Sequence, residues 1–127
     1  MNMKCIIIDD EPVARKILQD FIEDIDYLEL VGQADNPLKA MSLINDNDID
    51  IIFLDINMPV MNGWEFLDEF KRLNIDPAGK CKIYIISSSV FSNDINKARS
   101  YPLVKDFISK PLNVEKIVEL FKVEDPA

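Results

Sequence analysis

The chain has 127 residues, 48% of them apolar, with three glycines and two cysteines. That is the length of one domain, enough to bury a core without disulfides or a structural metal. Its formal charge is −9 and it has no basic run, which argues against a nucleic-acid surface, since phosphate binding needs clustered Lys and Arg.

The chain has no histidine, so Ser-His-Asp and Cys-His nucleophilic machinery and any His-ligated zinc site are excluded within it. No stretch approaches the roughly 20 apolar residues of a membrane span. The start, Met1-Asn2-Met3-Lys4 before a short apolar run, does not have the form of a secretory signal. Cys5 and Cys81 each adjoin an apolar run and read as buried thiols in a reducing compartment. The expectation is a soluble, cytoplasmic chain.

In chain order, Cys5 to Ile8 is a continuous apolar run with the length of a strand buried on both faces. A helix follows, with Ala14, Ile17, Leu18, Phe21 and Ile25 expected on one face. Leu28 to Val31 mixes in polar residues, as an edge strand does. Asn36-Pro37 is an N-cap with proline at the first helical position, opening a helix that carries Leu38, Met41, Leu43 and Ile44. Ile51 to Leu54 is a second buried strand, and the helix after Gly63 carries Trp64, Phe66, Leu67 and Phe70. Ile83 to Ile86 is a third, followed by a short polar helix from Asn93 through Ile95 and Ala98 to Arg99. A weaker apolar run covers Val104 to Ile108, and a last helix after Asn113 buries Val114, Ile117, Val118 and Phe121. Strands alternating with helices predict an α/β fold with a parallel sheet covered on both faces, a single domain over residues 1–127.

In such a sheet ligands bind outside the carboxyl ends of the strands. The first strand ends in Asp9-Asp10-Glu11, the third in Asp55, the fourth in Ser87-Ser88-Ser89 and the fifth in Lys110-Pro111. If the first and third strands are neighbours, three carboxylates meet one hydroxyl and one ammonium. Carboxylates so crowded repel unless a cation compensates, and all are hard oxygen ligands, which suits magnesium, with manganese also fitting. A carboxylate beside such an ion can attack phosphorus and form an acyl phosphate. The ion and Lys110 would neutralise the transferred group, and the Ser87 hydroxyl could hydrogen-bond it. Taken singly, each residue has a plainer reading. Asp9 and Asp10 could cap a helix, Asp55 with Met58-Pro59 could be a turn, Lys110-Pro111 a loop and Phe107 core. Their joint position at one sheet edge favours chemistry. Trp64, Met58 and Met61 read as packing and loop residues, and Glu11 as a helix-start residue.

The segments Ile-Ile-Asp-Asp-Glu-Pro (7–12), Phe-Leu-Asp-Ile-Asn-Met-Pro (53–59) with Asn62-Gly63, and Phe-Ile-Ser-Lys-Pro-Leu (107–112) resemble the receiver domains of response regulators in two-component signalling. The resemblance covers almost the whole chain in the family's order and spacing. It implies a flavodoxin-like, doubly wound (βα)5 fold with strand order 2-1-3-4-5. It also implies that Asp55 is the phosphoacceptor. Asp10 and Asp55 would hold Mg2+ with the backbone carbonyl of Asn57, and Asp9 would help through water. Lys110 would pair with the phosphoryl oxygens, ahead of a cis Lys110–Pro111 bond. Ser87 matches the switch hydroxyl, with the serine run leaving Ser88 open, and Phe107 matches the switch aromatic. Ser100-Tyr101-Pro102-Leu103 stands where many members have a small-residue and glycine turn, altering the surface beside the fifth strand.

The implied phosphodonor is a histidine kinase or histidine phosphotransfer protein. The face of the fourth helix, fifth strand and fifth helix is the implied readout and a surface for homodimer formation. Neither nucleic acid nor membrane is an implied direct partner. Such a chain catalyses its own phosphorylation and autodephosphorylation without being a metabolic enzyme. The competing class is a magnesium-dependent phosphohydrolase with an aspartyl nucleophile, but that chemistry places a second aspartate as general acid where this chain has Asn57. A receiver-like module without chemistry is disfavoured because every acidic, hydroxyl and lysine position is present. Within the family, Asp9 to Glu29 is similar to receivers that precede a LytTR-type DNA-binding domain, whereas Ser87 to Leu112 looks more like stand-alone receivers. A single-domain regulator acting by protein contact is the favoured expectation, and a truncated transcription regulator is the alternative.

Overall fold

The computed structural model describes residues 3–46, 48–55, 63–72, 81–87, 92–102, 104–109 and 114–122. Strands and helices alternate: β1 (Met3–Ile8), α1 (Pro12–Glu23), β2 (Leu28–Ala34), α2 (Pro37–Asp46), β3 (Ile51–Asp55), α3 (Gly63–Arg72), β4 (Lys82–Ser87), α4 (Ser92–Arg99), β5 (Val104–Ser109) and α5 (Val114–Lys122). All strand pairs are parallel and the order is β2-β1-β3-β4-β5, so the expected α/β architecture and strand order hold.

The alternation of side chains along each strand divides the core in two. Ile6, Ile8, Ile52, Leu54, Ile83 and Ile85 face α2, α3 and α4, where they meet Ala40, Ile44, Phe66, Leu67, Phe70 and Ala98. Cys5, Ile7, Ile51, Phe53, Tyr84 and Ile86 face the other way, against Leu18 and Ile22 of α1 and Ile117 of α5. Apolar runs without polar alternation are therefore what a sheet covered on both sides requires. Cys5 and Cys81 are both buried, and burial pushes the Cys5 thiol up to about 12.

Helix starts follow local chemistry. The Asn36 side-chain oxygen accepts the Lys39 amide at 3.0 Å, capping α2 ahead of Pro37. In α1, Glu11 occupies the N-cap position without a side-chain cap bond, and Pro12 sets the first turn.

Two of the apolar residues read on the helices turn outward. Ile17 is 46% exposed and Leu38 75% exposed. The buried stripe of α1 instead runs through Leu18 and Ile22, spaced i, i+4, and continues to Ile25 just past the helix end. In α2 the buried pair is Ala40 and Ile44, also i, i+4, which turns Leu38 outward. The side chains of Val114 and Phe121 lie outside the described residues.

Register shifts modify two strand pairs. Between β1 and β2, Cys5 pairs with Leu30 but Ile6 with Gly32, leaving Val31 as an extra residue. Gly32 suits this place because a Cβ there would stand 2.9 Å from Leu43 Cδ2. Between β4 and β5, Ile83 pairs with Val104 but Tyr84 with Asp106. Three residues apart, Val104 and Phe107 would face opposite ways in a regular strand; the shift lets both pack on the α4 side.

Candidate functional site

The site is built at the carboxyl edge of the two central strands. Ile8 pairs with Leu54, so Asp9 and Asp55 leave neighbouring strands side by side. Both are 5% exposed, the only buried charged residues among those described. Asp10, more open to solvent, completes a group in which one carboxylate oxygen from each residue lies within 4.8 Å of the others.

Asp9 is fixed at several atoms. Its amide donates to the Ala34 carbonyl at 3.0 Å, at the end of β2. Its Oδ1 accepts the Glu11 amide at 2.9 Å, and its carbonyl accepts Arg15 Nη1 at 2.8 Å. The helix-capping reading of Asp9 is thus realised as this two-residue turn before α1. Asp35, next to Ala34, carries a carboxyl held below the usual carboxylate range, chiefly by the Lys39 side chain and to a lesser degree by Arg15.

Two carboxylate charges about 4.8 Å apart repel by on the order of 3 kcal/mol at an effective dielectric of about 20. A divalent cation offsets that cost, and three carboxylates without a nitrogen or sulfur ligand favour a hard ion such as Mg2+. The donor set therefore fits a hard divalent cation.

The remaining predicted residues are placed unevenly. Ser87 is the last residue of β4, one beyond Ile86, which pairs with Asp55; its backbone is therefore at the same edge. Its side chain, like Asn57, Ser88 and Lys110, lies outside the described residues. Phe107 is half-buried on β5, opposite Ile85, and packs with the cluster that includes Ala98, Trp64 and Tyr101.

Two features went unpredicted. The first is the Arg15 contact to Asp9; an arginine at the start of a helix gives no sequence signal of it. The second joins α3 to the end of α4. Tyr101 stacks on Trp64 with centroids 5.8 Å apart, and Lys97 Nζ lies 4.9 Å from the Trp64 ring. Tyr101 Oη donates to Asp68 Oδ1 at 3.0 Å, and burial followed by this carboxylate raises the phenol pKa. The altered segment after α4 is thus anchored by its tyrosine.

A family model described as response regulator receiver domain matches residues 5–122, and the chain belongs to this family. It is therefore a receiver of two-component signalling, with an acidic pocket of Asp9, Asp10 and Asp55 consistent with phosphoacceptor function. Among curated relatives, it is 36% identical over 130 residues to a protein-glutamate methylesterase/protein-glutamine glutaminase of Clostridium acetobutylicum, covering 98% of this chain and 34% of that protein. It is 31% identical to the sensory transduction protein LytR of Staphylococcus saprophyticus, covering 96% of this chain and 46% of that protein. The chain thus spans between a third and a half of the length of these two relatives. A two-component response regulator from Cytophaga hutchinsonii superposes with a TM-score of 0.85 at 27% identity, covering 97% of both chains. The fold is also that of CheY in a CheX-CheY-BeF3-Mg2+ complex from Borrelia burgdorferi, with a TM-score of 0.82 at 22% identity over 96% of this chain and 88% of that one. No described helix is long and apolar enough to cross a membrane.

Proposed function

We propose that this receiver accepts a phosphoryl group on Asp55 from a histidine kinase or histidine phosphotransfer protein, the donor histidine lying outside this chain. The observation that carries the reading is the convergence of Asp9, Asp10 and Asp55 within 4.8 Å at the carboxyl edge of the sheet in a member of the receiver family. In the step, an Asp55 carboxylate oxygen attacks the phosphorus of the phosphohistidine. A P–O bond forms, the P–N bond breaks, and the departing imidazole takes up a proton from solvent.

Asp10 and Asp55 would hold Mg2+ with the Asn57 carbonyl, and Asp9 through water. The bound ion would supply neutralisation of phosphoryl charge. Lys110 would balance the remaining oxygens, and Ser87 would donate its hydroxyl to the new group. Support for this ligand chemistry comes from the CheX-CheY complex of the same fold, which contains BeF3, a phosphoryl mimic, together with Mg2+. Movement of Ser87 toward the phosphoryl group would let Phe107 turn inward, shifting a two-state equilibrium at the α4-β5-α5 face, which contacts targets or a second copy. The chain then acts by protein contact as a receiver over residues 1–127, without metabolic turnover. The test is to incubate it with Mg2+ and a small acyl-phosphate donor and weigh it. A single phosphate adduct, absent in Asp55→Asn, supports the reading; steady release of phosphate from simple esters would favour a hydrolase instead.

A further inference from the structure

Arg15 ties together three elements that frame the acidic pocket. Its backbone amide donates to the Glu11 carbonyl at 3.1 Å, closing the first turn of α1. Its side chain reaches back past the helix start, and Nη1 donates to the Asp9 carbonyl at 2.8 Å. The same guanidinium contributes to holding the Asp35 carboxyl low at the end of β2. A charged donor on a carbonyl makes a stronger bond than a neutral one, and the Asp9 carbonyl belongs to the peptide group that joins Asp9 to Asp10. That peptide sets the direction in which both carboxylates leave the backbone.

We infer that Arg15 is a positioning residue for the divalent-cation site, acting through the Asp9–Asp10 peptide rather than by touching the ion. The inference rests on the metal reading above. Its physical content is a sign. Removing a positive charge beside an acidic cluster makes the cluster more negative, and by charge alone would tighten cation binding. Loss of orientation does the opposite, and outer contacts of this kind are typically worth roughly 10- to 100-fold in metal affinity.

The experiment is calorimetric titration of the full chain with Mg2+ alone, alongside thermal melts. Arg15→Met should bind Mg2+ roughly tenfold more weakly. Arg15→Lys, which keeps a charged donor, should recover most of the loss. Lys16→Met removes the same charge one residue away, where Lys16 is exposed and paired with Asp20, and should leave the affinity within about twofold. Should Arg15→Met fail to fold, Arg15→Gln carries the comparison and should bind Mg2+ more weakly than Arg15→Lys. Unchanged or tighter binding in Arg15→Met, or in Arg15→Gln where that replaces it, overturns the inference while leaving the metal reading intact. Absence of Mg2+ binding by the unaltered chain overturns both.

Discussion

Neutralising Asp55 should stabilise the metal-free protein, although it removes the residue the function depends on. Asp9 and Asp55 are both buried, and one oxygen of each lies within 4.8 Å of the other. At an effective dielectric of about 20, such a pair costs on the order of 3 kcal/mol. The pair with Asp10 adds less, because that carboxylate is more open to solvent and salt. Asp55→Asn keeps the side-chain shape and removes the charge, and contacts specific to the carboxylate offset part of the gain. The net expectation is about 1.5 kcal/mol of added stability, or about 6 °C in melting temperature for a domain of this size. The assay is thermal or urea unfolding in chelator-treated, low-salt buffer, repeated with Mg2+. The unaltered chain should gain about 1.4 kcal/mol at tenfold over its dissociation constant, and the variant much less. An Asp55→Asn protein less stable than the parent without metal, yet equally stabilised by Mg2+, would refute the view that these carboxylates form one repelling, cation-binding group.

Phe66, fully buried against the α2–α4 side of the sheet, should lose about 3–5 kcal/mol on replacement by alanine, read as a lower urea midpoint. Cys5 has its thiol raised to about 12 by burial, above an unfolded value of 9.0. Its contribution is therefore complete below pH 9 and is lost as pH rises through that window, by about 1.4 kcal/mol at pH 10. Cys5→Val should flatten this alkaline fall in unfolding free energy; an identical slope would contradict it. Tyr101→Phe keeps the stack on Trp64 but removes the bond to Asp68, and should cost about 1 kcal/mol, while Tyr101→Ala should cost more and shift the emission of Trp64, the chain's one tryptophan. An unchanged emission spectrum in the alanine variant would count against the stack.

Strand positions were legible because a sheet covered on both faces needs unbroken apolar runs, and Ile51–Leu54 or Ile83–Ile86 can be little else. Asp9 and Asp55 were legible because each directly follows such a run. The face of α1 was not: Ile17 and Leu18 are adjacent in sequence, and only the phase of the buried stripe through Ile22 decides which turns inward. The register shift in β5 was equally hidden, since nothing in Val104–Ile108 alone tells that Val104 and Phe107 share a side. Arg15 and Tyr101 act across the fold, one on a carbonyl and the other on a ring and a carboxylate 33 residues away, and such contacts leave no local pattern.

The central claim is that Asp55 carries the phosphoryl group, and the most direct measurement locates it. After incubation with Mg2+ and an acyl-phosphate donor, borohydride reduces an aspartyl phosphate to homoserine, which peptide mass spectrometry can map. Homoserine at position 55 alone is the predicted result. Homoserine at position 9 or 10, or none after demonstrable exposure to small donors and a histidine kinase, would contradict the account.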